Sequence, residues 1–159
     1  MRNTRATIAI AVIAAAGLAY GVAAQQKAPA AAAALPKVTV YKTSSCGCCR
    51  LWVDHMKQSG FDVQAMDVSS ADVRAVSKVA GLKDEDSSCH TSKIGSYVVE
   101  GHVPADDIKR MLKEKPAIAG LSAPGMPQGS PGMEQGTKEP YDVVAFTKDG
   151  RTTVFAKHK

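Results

Sequence analysis

Aromatic side chains are scarce in this chain: three phenylalanines, four tyrosines and one tryptophan in 159 residues. The 20 lysines and arginines lie scattered among 15 acidic residues, with no basic stripe and no aromatics interleaved. A nucleic-acid surface needs a concentrated cationic face, so the composition speaks against such a partner. Without Arg2 and Arg5, the formal charge of +5 falls to +3, and this mild surplus reads as a solvated surface. The stretch "QQKAPAAAAALP", Gln25 to Pro36, lacks any bulky core former before Leu35. It reads as a flexible tether rather than part of a core.

Ahead of that tether stand Arg2 and Arg5, an apolar run from Thr7 to Ala19, and the small residues Val22 and Ala24. A positive start, an apolar centre and a small-residue end describe a secretory signal peptide, cleaved after Ala24. The alternative is an uncleaved membrane anchor, because apolar or small residues persist to Ala24, close to the roughly 18 that span a bilayer. The expected organisation is therefore a signal peptide over 1–24, a linker over 25–36 and one folded domain over 37–159. The expected location is the periplasm of a Gram-negative-type cell.

Within the domain, "KVTVYKT" (Lys37 to Thr43) alternates β-branched and polar residues and predicts a strand. "CRLWVDHMKQSG" has helical spacing, with Trp52 and Met56 four apart and Gly60 as a stop. Phe61 to Val68 predicts a second strand. Ser69 to Gly81 predicts a second helix, capped by Ser69 and Asp72. A polar loop then delivers "CHT", Cys89 to Thr91. "IGSYVVEGH" predicts a third strand with a turn at Glu100–Gly101. "PADDIKRMLKEKP" predicts a third helix, with Pro104 and the acidic pair Asp106 and Asp107 at its start and Lys113 and Lys115 at its end. Ser122 to Pro140 holds four glycines and four prolines in 19 residues and cannot be regular structure. A loop of that length in a compact domain is usually functional or disordered. It carries two "PGM" triplets with Met126 and Met133. "YDVVAFT" and "TTVFAKH" flank a "KDG" turn as a hairpin. The expected fold class is α/β: a single thioredoxin-like domain, with a mixed sheet, flanking helices, the long Gly/Pro/Met loop and a C-terminal hairpin.

Three of the four cysteines fall in "CGCC": Cys46, Cys48 and Cys49; the fourth is Cys89. Cys46 and Cys49 have C-x-x-C spacing at a helix start, where backbone N–H groups stabilise a thiolate, so thiol–disulfide chemistry is physically open. Cys48 weakens that reading, because a third thiol would capture mixed disulfides. So does Cys89-His90-Thr91, which occupies the position where thioredoxin-like redox proteins set a cis-proline. Thiolates are soft ligands that select Cu(I), zinc or iron–sulfur clusters. A single tetrahedral zinc wants well-spaced pairs, whereas the adjacent Cys48 and Cys49 diverge and suit bridging between neighbouring Cu(I) ions. Zinc held by Cys46, Cys49, Cys89 and a histidine ranks lower. Secondary ligand candidates are His90, His55 (seven residues after Cys48, on the same helical face), Met126 and Met133. The loop methionines enter because thioether sulfur favours Cu(I) and the loop has little else apolar to bury. Met56, Met66, Met111 and Trp52 read as core, His102 as a helix-start residue and His158 as an exposed tail residue. In an oxidising compartment the thiols would pair, most plausibly Cys46 with Cys49 and Cys48 with Cys89.

"CGCC" after a strand, "CHT" followed by "YVVEGHVPADDIKRML", and "GLSAPGMPQGSPGME" together resemble the family catalogued as domain of unknown function 411. The resemblance runs from about Val38 to Phe155. It implies a periplasmic copper-resistance protein with a thioredoxin-like fold, and copper at Cys46, Cys48, Cys49 and Cys89 as a multinuclear cluster. The expectation is a Cu(I)-holding protein in copper tolerance whose partners are copper ions and other periplasmic copper-handling proteins. The alternatives are a thiol–disulfide oxidoreductase using Cys46 and Cys49, and an exported domain stapled by disulfides or zinc. No catalytic residue is assigned, and whether the protein is an enzyme stays open.

Overall fold

The computed structural model describes residues 34–159. The expected signal peptide, and all of the expected linker up to residue 33, lie outside the described residues. No described helix is long and apolar enough to cross a membrane.

The elements are β1 (Val38–Lys42), α1 (Gly47–Gln58), β2 (Val63–Asp67), α2 (Ser70–Val79), β3 (His90–Ile94), β4 (Tyr97–Glu100), α3 (Ala105–Glu114), β5 (Gly120–Ser122), β6 (Tyr141–Phe146) and β7 (Thr152–His158), with a single 3₁₀ turn at Asp84–Asp86. Among the described residues, all strands join one seven-stranded sheet in the order β2-β1-β3-β4-β5-β6-β7. The β1–β2 and β4–β5 pairs are parallel and the others antiparallel. This is a single mixed α/β domain.

Helices cover both faces. Neighbouring residues on a strand point to opposite sides. On β3, the His90 ring lies tilted against Trp52 of α1, with ring centroids 4.6 Å apart, while Thr91 Oγ1 lies 3.2 Å from the Val73 carbonyl oxygen of α2. α1 and α2 therefore flank opposite faces. Trp52, Met56, Ile108 and Met111 share one core with Val38, Val40, Ile94 and Val99, so α3 lies on the α1 side. Trp52 is fully buried and donates its indole N–H to the Val103 carbonyl at 2.9 Å, tying α1 to the entry of α3. On the other face Leu82, Val98, Ala119 and Phe146 form a smaller core.

Three features depart from the expectations. "IGSYVVEGH" is not one strand. β3 and β4 are an antiparallel hairpin that turns at Gly95 and Ser96, and Ile94 pairs with Tyr97. Gly95 has φ +59°, which a β-branched residue would resist, and this permits the two-residue turn. Because β3 begins at His90, only Cys89 of "CHT" lies in the loop. β5 is an additional strand of three residues, "GLS", too short and too weak in β-propensity to announce itself. Met66 and His158 also differ. Met66 is 41% exposed on the edge strand β2, and His158 is half-buried against Asp107, with Nε2 to Oδ2 at 2.7 Å.

Candidate metal centre

The site forms where β1 hands over to α1 and where the chain enters β3. Cys46 is the N-cap of α1, and its Sγ accepts the Cys49 backbone N–H at 3.3 Å. A sulfur here takes the place usually held by a Ser or Asp oxygen, so the helix terminus favours negative charge on it. Cys48 and Cys49 follow in the first turn. Cys49 belongs to the buried stripe with Trp52, Val53 and Met56, while Cys48 is half-buried. Cys89 closes the site from the other side. Its Sγ lies 3.5 Å from Cys49 Sγ and 4.0 Å from Cys48 Sγ, and Cys48 Sγ lies 3.6 Å from Cys46 Sγ. All four sulfurs fall within 4.8 Å of one another. Cys46 and Cys49 are joined as a disulfide, with Cα atoms 5.4 Å apart, and Cys48 and Cys89 are free. The pairing of Cys46 with Cys49 is the one the spacing suggested; Cys48 and Cys89 are not bonded.

A second group shares Cys89. His102 Nε2 is 3.1 Å and His90 Nδ1 is 3.5 Å from Cys89 Sγ, and the three form a second cluster of ligand atoms within 4.8 Å. Both imidazoles are fully buried. The other ring nitrogen of His102, Nδ1, lies 2.8 Å from the Pro131 carbonyl. A carbonyl only accepts, so Nδ1 carries the proton and Nε2 presents its lone pair toward Cys89. His90 Nε2 has no hydrogen-bond partner.

The charges fit a centre that waits for a cation. Burial, reinforced by the neighbouring Cys48, pushes the Cys89 thiol up to about 12. Burial holds His102 below its ordinary range, and burial together with His102 and Lys42 holds His90 well below it. Both rings are thus neutral and able to donate an electron pair. A soft cation would replace the Cys89 proton on binding.

The long loop, Ala123 to Pro140, folds over this centre, and each "PGM" triplet is pinned to a different wall. In the first, the Gly125 N–H donates to the Ser87 carbonyl at 2.9 Å, and Ser88 Oγ donates to the Gly125 carbonyl, both beside Cys89. In the second, Pro131 holds His102 and Gly132 lies on the first turn of α1. A Cβ on Gly132 would sit 2.8 Å from the Cys48 carbonyl oxygen and 2.9 Å from the Trp52 nitrogen. The Gly132 N–H donates to Glu134 Oε1 at 2.8 Å. Met126 is 53% exposed and Met133 half-buried.

Of the residues singled out from the sequence, Cys46, Cys48, Cys49, Cys89 and His90 come together here. His55 sits elsewhere, its Nε2 accepting the Ala105 N–H at the start of α3 at 3.1 Å. His102 was missed, although one signal was available. The hairpin register pairs Thr91 with Glu100, and continuing it by two residues sets Cys89 opposite His102. Reading β3 and β4 as one strand concealed that.

The family described as "Protein of unknown function, DUF411" matches residues 87–133. Two solved structures of copper resistance protein CopG, Form 1 and Form 2, are 39% and 40% identical to this chain. They cover 78% and 79% of it and 98% and 99% of their own length, each with a TM-score of 0.71. The chain belongs to the DUF411 family. The segment matched in this DUF411 member runs from Ser87 to Met133, taking in Cys89, His90, His102 and both "PGM" triplets. The DUF411 fold brings that half of the centre against the "CGCC" half. No curated protein matches the chain.

Proposed function

We propose that the chain is a periplasmic copper-handling protein that holds Cu(I) through Cys46, Cys48, Cys49 and Cys89, as a thiolate-bridged cluster of several ions, in copper tolerance. The observation that carries this reading is the gathering of four sulfurs within 4.8 Å, two of them on consecutive residues. One tetrahedral ion is poorly served by adjacent cysteines, whereas bridging thiolates suit several soft cations. The relatives' designation as copper resistance proteins supports copper over zinc. His90 and His102 are supplementary donors on the Cys89 side, and Met126 and Met133, carried by the loop that straps the centre, are thioether candidates chosen for the softness of their sulfur. The sheet order β2-β1-β3-β4, with α1 and α3 opposite α2, supports the thioredoxin-like label.

The Cys46–Cys49 disulfide favours a second reading, thiol–disulfide exchange with a partner. The decisive experiment is anaerobic reduction, Cu(I) loading and metal analysis. More than one copper per chain, with the excess lost in Cys48→Ser, supports the cluster. Absence of tight copper together with insulin reductase activity that survives Cys48→Ser supports the oxidoreductase instead. A redox-inert protein retaining one zinc would defeat both.

A further inference from the structure

The β4 sequence "YVVE" ends on a charged residue, Glu100, which is only 1% exposed. Among the described residues no lysine, arginine or histidine forms an ion pair with it. Such a group is costly to bury unless its oxygens are satisfied by donors. They are. Oε1 accepts the Ser88 backbone N–H at 2.7 Å, and Oε2 accepts the Thr91 hydroxyl at 2.6 Å. These two donors stand on either side of Cys89-His90, the dipeptide that brings one thiol and one imidazole to the centre.

We infer that Glu100 is the positioning residue for Cys89, its carboxyl bracketing Cys89-His90 so that the thiol meets the three sulfurs of α1. The inference rests on the reading of the four cysteines as a metal centre. Cys89 is the one cysteine not carried by α1 or its cap, and it leaves an irregular segment, so something must fix its distance. Backbone pairing alone starts one residue later, at His90 with Lys42. The Gly101 N–H reaches the His90 carbonyl at 2.9 Å, which holds the dipeptide's C-terminal side. On its N-terminal side the Glu100 carboxylate is the anchor at Ser88 N–H. A carboxylate offers two acceptor oxygens in one plane, whereas a glutamine amide offers one acceptor and two donors. The Thr91 hydroxyl can also accept, so glutamine can keep both contacts, its oxygen toward Ser88 N–H and its amide N–H toward Thr91 Oγ1. Leucine removes both acceptors at similar size, so Glu100→Leu is the sharp test of the bracket and Glu100→Gln its conservative rescue.

The test uses the full chain with the Cys46–Cys49 disulfide intact, as wild type, Glu100→Leu, Glu100→Gln, Glu100→Ala and Thr91→Val. Alkylation rates of Cys48 and Cys89 are followed by mass spectrometry, alongside circular dichroism. After anaerobic reduction, Cu(I) is titrated against a chromophoric chelator. The expected result is a rise of tenfold or more in the Cys89 rate relative to Cys48 in Glu100→Leu, smaller in Thr91→Val and in Glu100→Gln. Cu(I) affinity should fall ten- to hundredfold, as for other groups that orient metal ligands. A merely structural role would speed both cysteines equally, with affinity unchanged in the folded fraction, and that outcome overturns the inference. Wild-type selectivity in both Glu100→Leu and Thr91→Val would do the same, even if Glu100→Ala fails to fold. If wild type takes up no Cu(I), the metal reading fails, while the Cys89 selectivity still reports on the bracket.

Discussion

Gly132 carries the tightest constraint at the scale of single residues. It has φ +86°, and its α-carbon rests against the first turn of α1, where a Cβ would press on the Cys48 carbonyl oxygen and the Trp52 nitrogen, both backbone atoms. Gly132→Ala adds left-handed strain of about 1 kcal/mol and an overpacking cost of about 1–3 kcal/mol. The strap should lift, taking the Pro131 carbonyl from His102. Urea unfolding is expected to show a loss of about 2–4 kcal/mol, and Cu(I) competition a weaker centre; an unchanged midpoint would mean that the strap does not rest on α1 in solution. His102→Ala tests the missed donor more directly. It should lower Cu(I) affinity at least tenfold while the far-ultraviolet spectrum stays that of wild type, and an unchanged affinity would exclude His102 from the centre. The grouping of Cys46, Cys48 and Cys49 was legible because they fall within four positions of the chain. The approach of His102 to Cys89 was not, since it depends on hairpin register, which one glycine decides.

Elements meet at His55. Chosen from the sequence because it follows Cys48 by two turns on one face, it instead accepts the first free N–H of α3, whose cap, Pro104, offers no side-chain acceptor. Helical periodicity told correctly that His55 shares a face with the site-bearing turn. It could not tell that α3 starts there, because that contact joins positions 50 apart in the chain. A pH dependence follows. Burial, assisted by Lys109, lowers His55 from 6.5, while Glu134 and Asp106 act in the opposite direction. The unfolded chain takes up its proton first as pH falls through 6.5, so the stability His55 confers is complete above that value and declines below it. His90 and His102, also lowered, add to the decline, whereas Glu100, raised by burial to about 7, opposes it between 4.5 and 7. His55→Gln keeps an acceptor for Ala105 without a titrating group. Metal-free wild type and variant, unfolded in urea at pH 7.5 and pH 5, should differ in slope, the variant losing less on acidification. Parallel losses would show that His55 does not bridge α1 and α3.

The order of strands and helices through α2 was readable along the chain, as were the covering strap and the last hairpin, because each is bounded by its own glycines, prolines and caps. The seven-stranded continuity was not, since it depends on β5, three residues that only acquire meaning between β4 and β6. The continuous sheet lets segments distant in sequence supply one centre, so binding there is coupled to folding of the whole domain. A ligand that binds only the folded state stabilises it by about 2.7 kcal/mol at one hundred times its dissociation constant. For a domain of this size that is a rise of about 10 °C in melting temperature. The reduced protein should gain this on Cu(I) loading. The oxidised protein, with Cys46 and Cys49 occupied by each other, should gain no more than about 3 °C. Each form serves as its own copper-free reference, so the effect of the disulfide on stability cancels. Calorimetry under anaerobic conditions measures both, and equal shifts in the two forms would mean that copper is held without Cys46 and Cys49.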